Sequence, residues 1–213
     1  MAIRYYFPDN TAPTVYPPLQ DYPYDFLDWA NATVHSLVSV KESTSFTTVT
    51  DAQKPAGSAT LFRRYVIALG AQTIAGTTTV KAQIRASQEN VGTGFDPFAT
   101  VSIWAADGSE VLASVYAGYG SEAGTSLINR SIIPEDTIYD EVVVENGQLL
   151  VVDIGGTWSY SGYTDDGSLE FGDNSASDLP EDEVSTDQYC SWIEFSQTLT
   201  EATAFVSSGG FWF

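Results

Sequence analysis

A chain of 213 residues with 43% hydrophobic and 13% aromatic side chains is long enough to bury a core and too apolar to stay unfolded. Its 28 acidic and 8 basic residues give a net charge of −20, which excludes recognition of a nucleic-acid phosphate backbone and disfavours anionic membrane surfaces. A single cysteine, Cys190, excludes an internal disulfide framework, and no run approaches the roughly 18 apolar residues of a transmembrane helix.

Residues 1–30, "MAIRYYFPDNTAPTVYPPLQDYPYDFLDWA", hold five of the nine prolines and a dense set of aromatics. No basic stretch precedes an apolar run, so a signal peptide is not expected. The prolines argue against regular structure. Tyr5, Tyr6, Phe7, Tyr22, Tyr24, Phe26 and Trp29 nevertheless carry too much apolar area to be left in water. Together these facts predict an extended N-terminal arm that docks on its own domain or on a neighbouring subunit.

From residue 31 to about 200 the sequence reads as strands separated by turns. "TVHSLVSV" and "SFTTVT" alternate apolar with polar, and so do "ATLFRRYVIAL" (59–69) and "TTTVKAQIRAS" (77–87), the latter with Val80, Ala82, Ile84 and Ala86 on one face. Asp107-Gly108 predicts a hairpin within 98–118, and Asn146-Gly147 a second within 140–156. "SLEFGD" and "SWIEFSQTLT" complete the set. With no amphipathic helix, the pattern predicts an all-β, antiparallel β-sandwich of jelly-roll type. Residues 201–213 read as a tail, a Ser-Gly spacer ending in Phe211, Trp212 and Phe213, which needs a surface to dock on.

Charge is unevenly distributed. All eight Lys/Arg lie at or before Arg130, whereas the last 83 residues carry seventeen acids and no base. Within them, Glu170, Asp173, Asp178, Glu181, Asp182, Glu183 and Asp187 suggest either a solvated inter-strand loop or a cation site. Asp165, Asp166, Asp173 and Asp178 offer oxygen ligands for calcium, although the spacing departs from the EF-hand pattern. Zinc is excluded by the shortage of Cys and His. His35 and Cys190 read as strand residues rather than as a nucleophile and its base, so no catalytic residue and no cofactor beyond that calcium is expected. Trp158, Tyr160 and Tyr163, with Trp104 and Trp192, could instead form an aromatic platform for a glycan.

"RYYFPDNTAPTV", "AQTIAGTTTVKAQIRASQEN" and "LEFGDNSASDLPEDE…WIEFS" together resemble a group of tailed-bacteriophage and prophage virion structural proteins. The likeness runs from Arg4 to about Gln197 and leaves "SSGGFWF" outside it. It implies a β-sandwich component of a virus particle, assembled in the host cytoplasm, with no active site. Combined with the arm and tail, it predicts a homo-oligomer, such as a trimer, on the major capsid protein or on tail and baseplate proteins. A capsid decoration (cement) protein is the first expectation. A tail accessory protein and a carbohydrate-binding module for host attachment are the alternatives. On this view, deleting residues 1–24 leaves the domain folded and abolishes particle binding.

Overall fold

A computed structural model describes residues 2–19, 26–28, 32–52, 55–90, 94–159, 166–174, 176–181 and 184–203. Fourteen strands form among them and no helix. These are β1 (Ile3–Tyr6), β2 (Phe26–Asp28), β3 (Thr33–Ser36), β4 (Thr47–Ala52), β5 (Ala59–Ala68), β6 (Gln72–Ile74) and β7 (Thr79–Gln88), followed by β8 (Phe95–Trp104), β9 (Val111–Tyr119), β10 (Ile128–Thr137), β11 (Val142–Val144), β12 (Leu149–Trp158), β13 (Asp166–Phe171) and β14 (Trp192–Phe195).

Two six-stranded sheets carry the fold. In the first, β7 pairs with β10 on one side, while its other side is shared end to end by β14, opposite 80–83, and β13, opposite 85–88. β4 and β1 extend that sheet beyond β13 and β14. In the second, the central β12 lies between β5 and β8, and β9 follows β8 at the edge. The short strands β2 and β3 add to β5 in parallel, so the sheet is not wholly antiparallel.

The core follows from period-two patterning. Val80, Ala82, Ile84 and Ala86 of β7 are all fully buried and pack in one cluster with Leu150, Val152 and Ile154 of β12. This is the sandwich interior expected of side chains alternating across a pleated strand. Phe95 sits in the same cluster, against two glycines. A Cβ at Gly156 would lie 1.9 Å from its ring, and one at Gly167 would lie 2.4 Å away.

Of the two predicted hairpins, one forms. β8 and β9 pair across the Asp107-Gly108 turn, with Gly108 at φ +75°. Asn146-Gly147 is also a tight turn, with Gly147 at φ +90°, but the strands flanking it do not pair. β11 bonds to β6 and β12 to β5 and β8, so the turn moves the chain from one sheet to another.

The N-terminal segment is part of the domain as far as residue 19. Residues 3–6 are a strand of the first sheet, in register with Phe195 to Trp192. Tyr5 and Phe7 are fully buried in the main core, Tyr5 against Phe195 and Phe7 against Tyr65. Further on, residues 13–19 cross the outer face of the second sheet. On that face Val66, Trp104, Leu149 and Val151 are buried as a second apolar cluster. The surface on which this part of the arm docks is thus its own domain.

Beneath that crossing lies an ion pair with no exposure on either side chain, Arg64 to Asp153. The contact is bidentate, at 2.7 and 2.9 Å, and the remaining Nη1 donates to the Pro18 carbonyl at 2.7 Å and the Pro17 carbonyl at 3.3 Å. Two successive prolines offer carbonyls and no N–H, which suits a covering strand whose neighbour is a guanidinium.

Candidate functional site

The acidic stretch joins β13 to β14, as its place between two alternating segments suggests. It is anchored to the first sheet at Asp178 and Glu181, while Asn174, Ser177, Val184, Thr186, Asp187 and Gln188 are exposed. Asp178 pairs with Arg4 at 2.8 Å and Lys41 at 2.7 Å. Glu181 pairs with Arg4 at 2.6 Å and Lys81 at 2.7 Å, and Glu194 with the same two cations at 2.6 and 3.1 Å. Glu170 pairs with the buried Arg85, whose Nη2 also holds the Leu127 and Thr186 carbonyls. Arg4, Lys41, Arg64, Lys81 and Arg85 are thus counter-ions to acids beyond residue 130, whereas Arg63 pairs with Asp9. Of the seven described Lys/Arg, Arg130 alone makes no ion pair.

These cations also line an aromatic floor. Trp192 is fully buried and donates its Nε1–H to the Leu179 carbonyl at 2.9 Å. The Arg4 guanidinium lies 4.0 Å from the centre of its ring, a distance at which cation–π attraction adds to the ion pairs. Lys41 stands 5.0 Å from the Tyr6 ring. Tyr6, one of the docking candidates, is half-buried here.

The proposed calcium ligands are not brought together. Asp173 is fully buried, and its two oxygens accept the backbone N–H groups of Glu42 and of Thr44, the latter at 2.7 Å. It fastens the loop at 41–44 to the end of β13, and Asp178 is occupied by Arg4 and Lys41. Asp166 lies at the start of β13, at the opposite end of that strand from Asp173, and Asp165 lies outside the described residues. No group of three or more His, Cys, Asp or Glu side chains is placed to hold a metal among the described residues.

The two candidate reactive groups are equally committed to structure. His35 is buried on β3, with one ring nitrogen 2.8 Å from the Thr33 hydroxyl and the other 2.7 Å from the Asn10 carbonyl. Burial, reinforced by the charge of Arg63, holds its pKa below the ordinary value. Cys190 is buried and donates to the carbonyls of Asp173 and Ala176; burial pushes its thiol up to about 11. Such a thiol is a packing group and not a nucleophile.

The aromatic platform fails at its described member. Trp158 has no exposed surface and packs on Phe95, ring centres 5.3 Å apart, so it cannot stack on a sugar. Trp104 is also buried, with its Nε1–H on the Ser102 hydroxyl at 2.9 Å. Tyr160 and Tyr163 lie outside the described residues, as do Tyr22, Tyr24, Trp29, Phe211, Trp212, Phe213 and the side chain of Phe26.

What remains is surface. Strand β9 closes the second sheet, and its outer side receives Tyr139, through N–H to the Val115 carbonyl at 3.0 Å and hydroxyl to the Ala117 carbonyl at 3.1 Å. Leu112, Tyr119 and Tyr139 there are 45, 56 and 54% exposed. Sequence reasoning passed over this edge, because Leu112 and Tyr119 read as ordinary members of an alternating strand.

No protein-family model matches the sequence, and comparison with curated proteins finds no match. Among solved structures, a CocE/NonD family hydrolase from Staphylococcus aureus superposes at a TM-score of 0.49 with 10% identity, covering 94% of this chain and 36% of that one. The infectious bursal disease virus Gt strain structure superposes at 0.31 with 10% identity, covering 76% and 35%. The VP2 subviral particle of the same virus gives 0.23 at 10% identity, covering 78% and 40%. The chain spans about a third of the length of the hydrolase chains. At such scores and identities these likenesses assign neither activity nor assembly.

Proposed function

We propose that the chain is a non-enzymatic structural protein of a bacteriophage virion, a decoration protein of the capsid. The observation that supports this most is that Asp173, Asp178, Cys190 and His35, four of the groups chosen for their chemistry, are occupied in holding the sandwich together. Asp173 closes a loop, Asp178 joins the ion-pair network, and Cys190 and His35 are pinned by neighbouring carbonyls and a hydroxyl. A particle component needs a stable body and a contact surface, and an excess of negative charge keeps copies apart before assembly. The resemblance of residues 4–197 to phage virion proteins points the same way.

Tyr5 and Phe7 are spent inside the domain, so we assign the contact with the major capsid protein to the β9 edge, around Leu112, Tyr119 and Tyr139. The copies would gather on the particle as a symmetric oligomer, a trimer at a three-fold position. A tail or baseplate accessory protein would share this architecture and differ in its address. The test is mass spectrometry of gradient-purified particles, followed by separation of heads from tails. The chain is expected in the head fraction, and a Leu112→Glu, Tyr139→Ser variant should fold normally yet fail to co-sediment with heads. Absence from purified particles would overturn the reading, and recovery with tails alone would overturn the capsid assignment.

A further inference from the structure

We propose that β4 is a pairing edge for a second copy of this chain, antiparallel across a two-fold axis, so that the first sheets of two copies join into one. β4 is the outermost strand beside β13, and its register runs from Thr47 opposite Phe171 to Ala52 opposite Asp166 without a shift. The direction of its free backbone groups follows from the far side of β13. Glu89 donates its N–H to the Asp166 carbonyl at 2.9 Å, so Asp166, Ser168 and Glu170 turn their backbone groups towards β7. Gly167, Leu169 and Phe171 then bond to Asp51, Val49 and Thr47 of β4. That alternation leaves the N–H and C=O of Thr48 and Thr50 pointing outward. Both residues are exposed, and no described residue bonds to those groups.

The edges of β9, β10 and β3 are interrupted. Tyr139 occupies two carbonyls of β9. Pro134 takes an N–H out of β10, and the Asn129 N–H there goes to the Ser185 carbonyl at 3.3 Å. At β3 the Asn10 side chain bonds both the Ser36 N–H, at 3.0 Å, and the Ser36 carbonyl, at 3.2 Å. β4 has none of these devices. It holds no proline, no lysine and no register shift, and there is no charge from Ser43 to Thr50 in a chain of net charge −20. Thr47, Thr48, Val49 and Thr50 favour an extended strand. The stretch is also self-complementary. With Val49 on the axis, Thr48 exchanges both backbone bonds with Thr50 of the partner subunit, and Thr50 does so with Thr48 of the partner subunit. Threonine opposite threonine is a favourable cross-strand pair. One strand edge buries far less than the roughly 1,600 Å² of a stable complex, so the pairing is weak in solution and fills where copies are crowded. It stands apart from the capsid assignment, since β4 lies in the first sheet and β9 in the second.

The experiment is sedimentation equilibrium of the full-length chain up to millimolar concentration, at about 0.15 M and about 1 M salt. The mass should rise from that of one copy to that of two and stop there. It should do so at lower protein concentration in high salt, because salt screens the repulsion between two copies of charge −20. Thr48→Pro takes away an outward N–H, a change that an edge strand tolerates, and Thr50→Asp sets two acids near the axis. Each should weaken the pairing at least tenfold with circular dichroism unchanged. Amide exchange at Thr48 and Thr50 should be fast in the monomer and slow in the pair. Val49→Cys should form a disulfide between copies on oxidation, since facing residues at a non-hydrogen-bonded position lie about 4.5 Å apart. A parent that stays monomeric at millimolar concentration in high salt would overturn the proposal, as would a pair that survives either variant unchanged. Thr48 and Thr50 amides already slow in the monomer would overturn it in favour of an edge covered by the chain itself.

Discussion

Replacing Asp153 with Asn removes the negative half of an ion pair that has no access to water. Arg64 donates to it through Nε and Nη2 at 2.7 and 2.9 Å, and both side chains are 0% exposed. The variant keeps the shape and one acceptor oxygen, but it sets an amide NH2 against one guanidinium N–H and leaves the Arg64 charge without a counter-ion beside the Pro17 and Pro18 carbonyls. Breaking a buried pair on one side costs about 3–5 kcal/mol, far above the ~1 kcal/mol of an exposed pair. For a chain of this size that is a fall in Tm of about 6–20 °C. Removing both charges, as in Arg64→Met with Asp153→Leu, should recover most of the loss, because an apolar pair of similar volume is often neutral. Recovery should stop short of complete, since the two proline carbonyls then lose their donor. Urea denaturation of the two single variants and the double one measures the coupling. A D153N midpoint within about 1 kcal/mol of the parent would refute the reasoning, because it would mean that water reaches Arg64 and that residues 13–19 do not cover it.

Three further outcomes follow from the same geometry. Burial alone would raise the Asp178 carboxyl, but hydrogen bonds and charge from Lys41 and Arg4 outweigh it and hold the pKa below its ordinary value. A carboxylate depressed in the folded state lends stability that is complete above its unfolded value, about 4, and is lost as pH falls through the folded one. The stability gap between the parent and Asp178→Asn should therefore be constant above about pH 5 and close below about pH 4, as read from urea midpoints across that range. Cys190 should resist a thiol reagent at pH 8 in the native protein and react fully in denaturant, because burial pushes its thiol up to about 11. Gly156→Ala should cost about 3 kcal/mol or fail to fold, since the added methyl would meet the Phe95 ring 1.9 Å away.

Much of the fold was legible wherever one strand carried its own signal. The alternation of Val80, Ala82, Ile84 and Ala86 marks a half-buried strand, and all four are in the core. Asp107-Gly108 was sufficient to join β8 to β9. The same local logic misled at Asn146-Gly147, because turn chemistry sets the bend but not which partners the flanking strands choose. The three-residue strands β6 and β11 were too short to show a period. The prolines and aromatics of the N-terminal segment signal an extended chain in need of a surface. Yet nothing in its prolines could reveal that Pro17 and Pro18 would cap Arg64 some 46 residues away in sequence.

The acidic stretch shows the same limit. Its carboxylates were visible as a cluster, but their partners Arg4, Lys41, Lys81 and Arg85 lie far upstream, and no spacing rule links them. Charge asymmetry along the chain, read as surface asymmetry, is offset at Glu170, Asp178, Glu181 and Glu194 by pairing across the first sheet. Trp158 offered no local warning that its ring would be enclosed, since an aromatic in a β protein reads alike whether it faces water or Phe95.

The measurement that bears most directly on this account is equilibrium unfolding of a chain lacking residues 1–8. The deletion removes β1, the fully buried Tyr5 and Phe7, and the Arg4 contacts to Asp178, Glu181 and Glu194. Loss of two large core aromatics alone amounts to about 6–10 kcal/mol, comparable with the whole stability of a domain. The truncated chain should accordingly show no cooperative transition in urea and no native near-ultraviolet dichroism. A truncated chain that unfolds cooperatively at the parent midpoint would contradict the account and restore the N-terminal segment as a detachable arm.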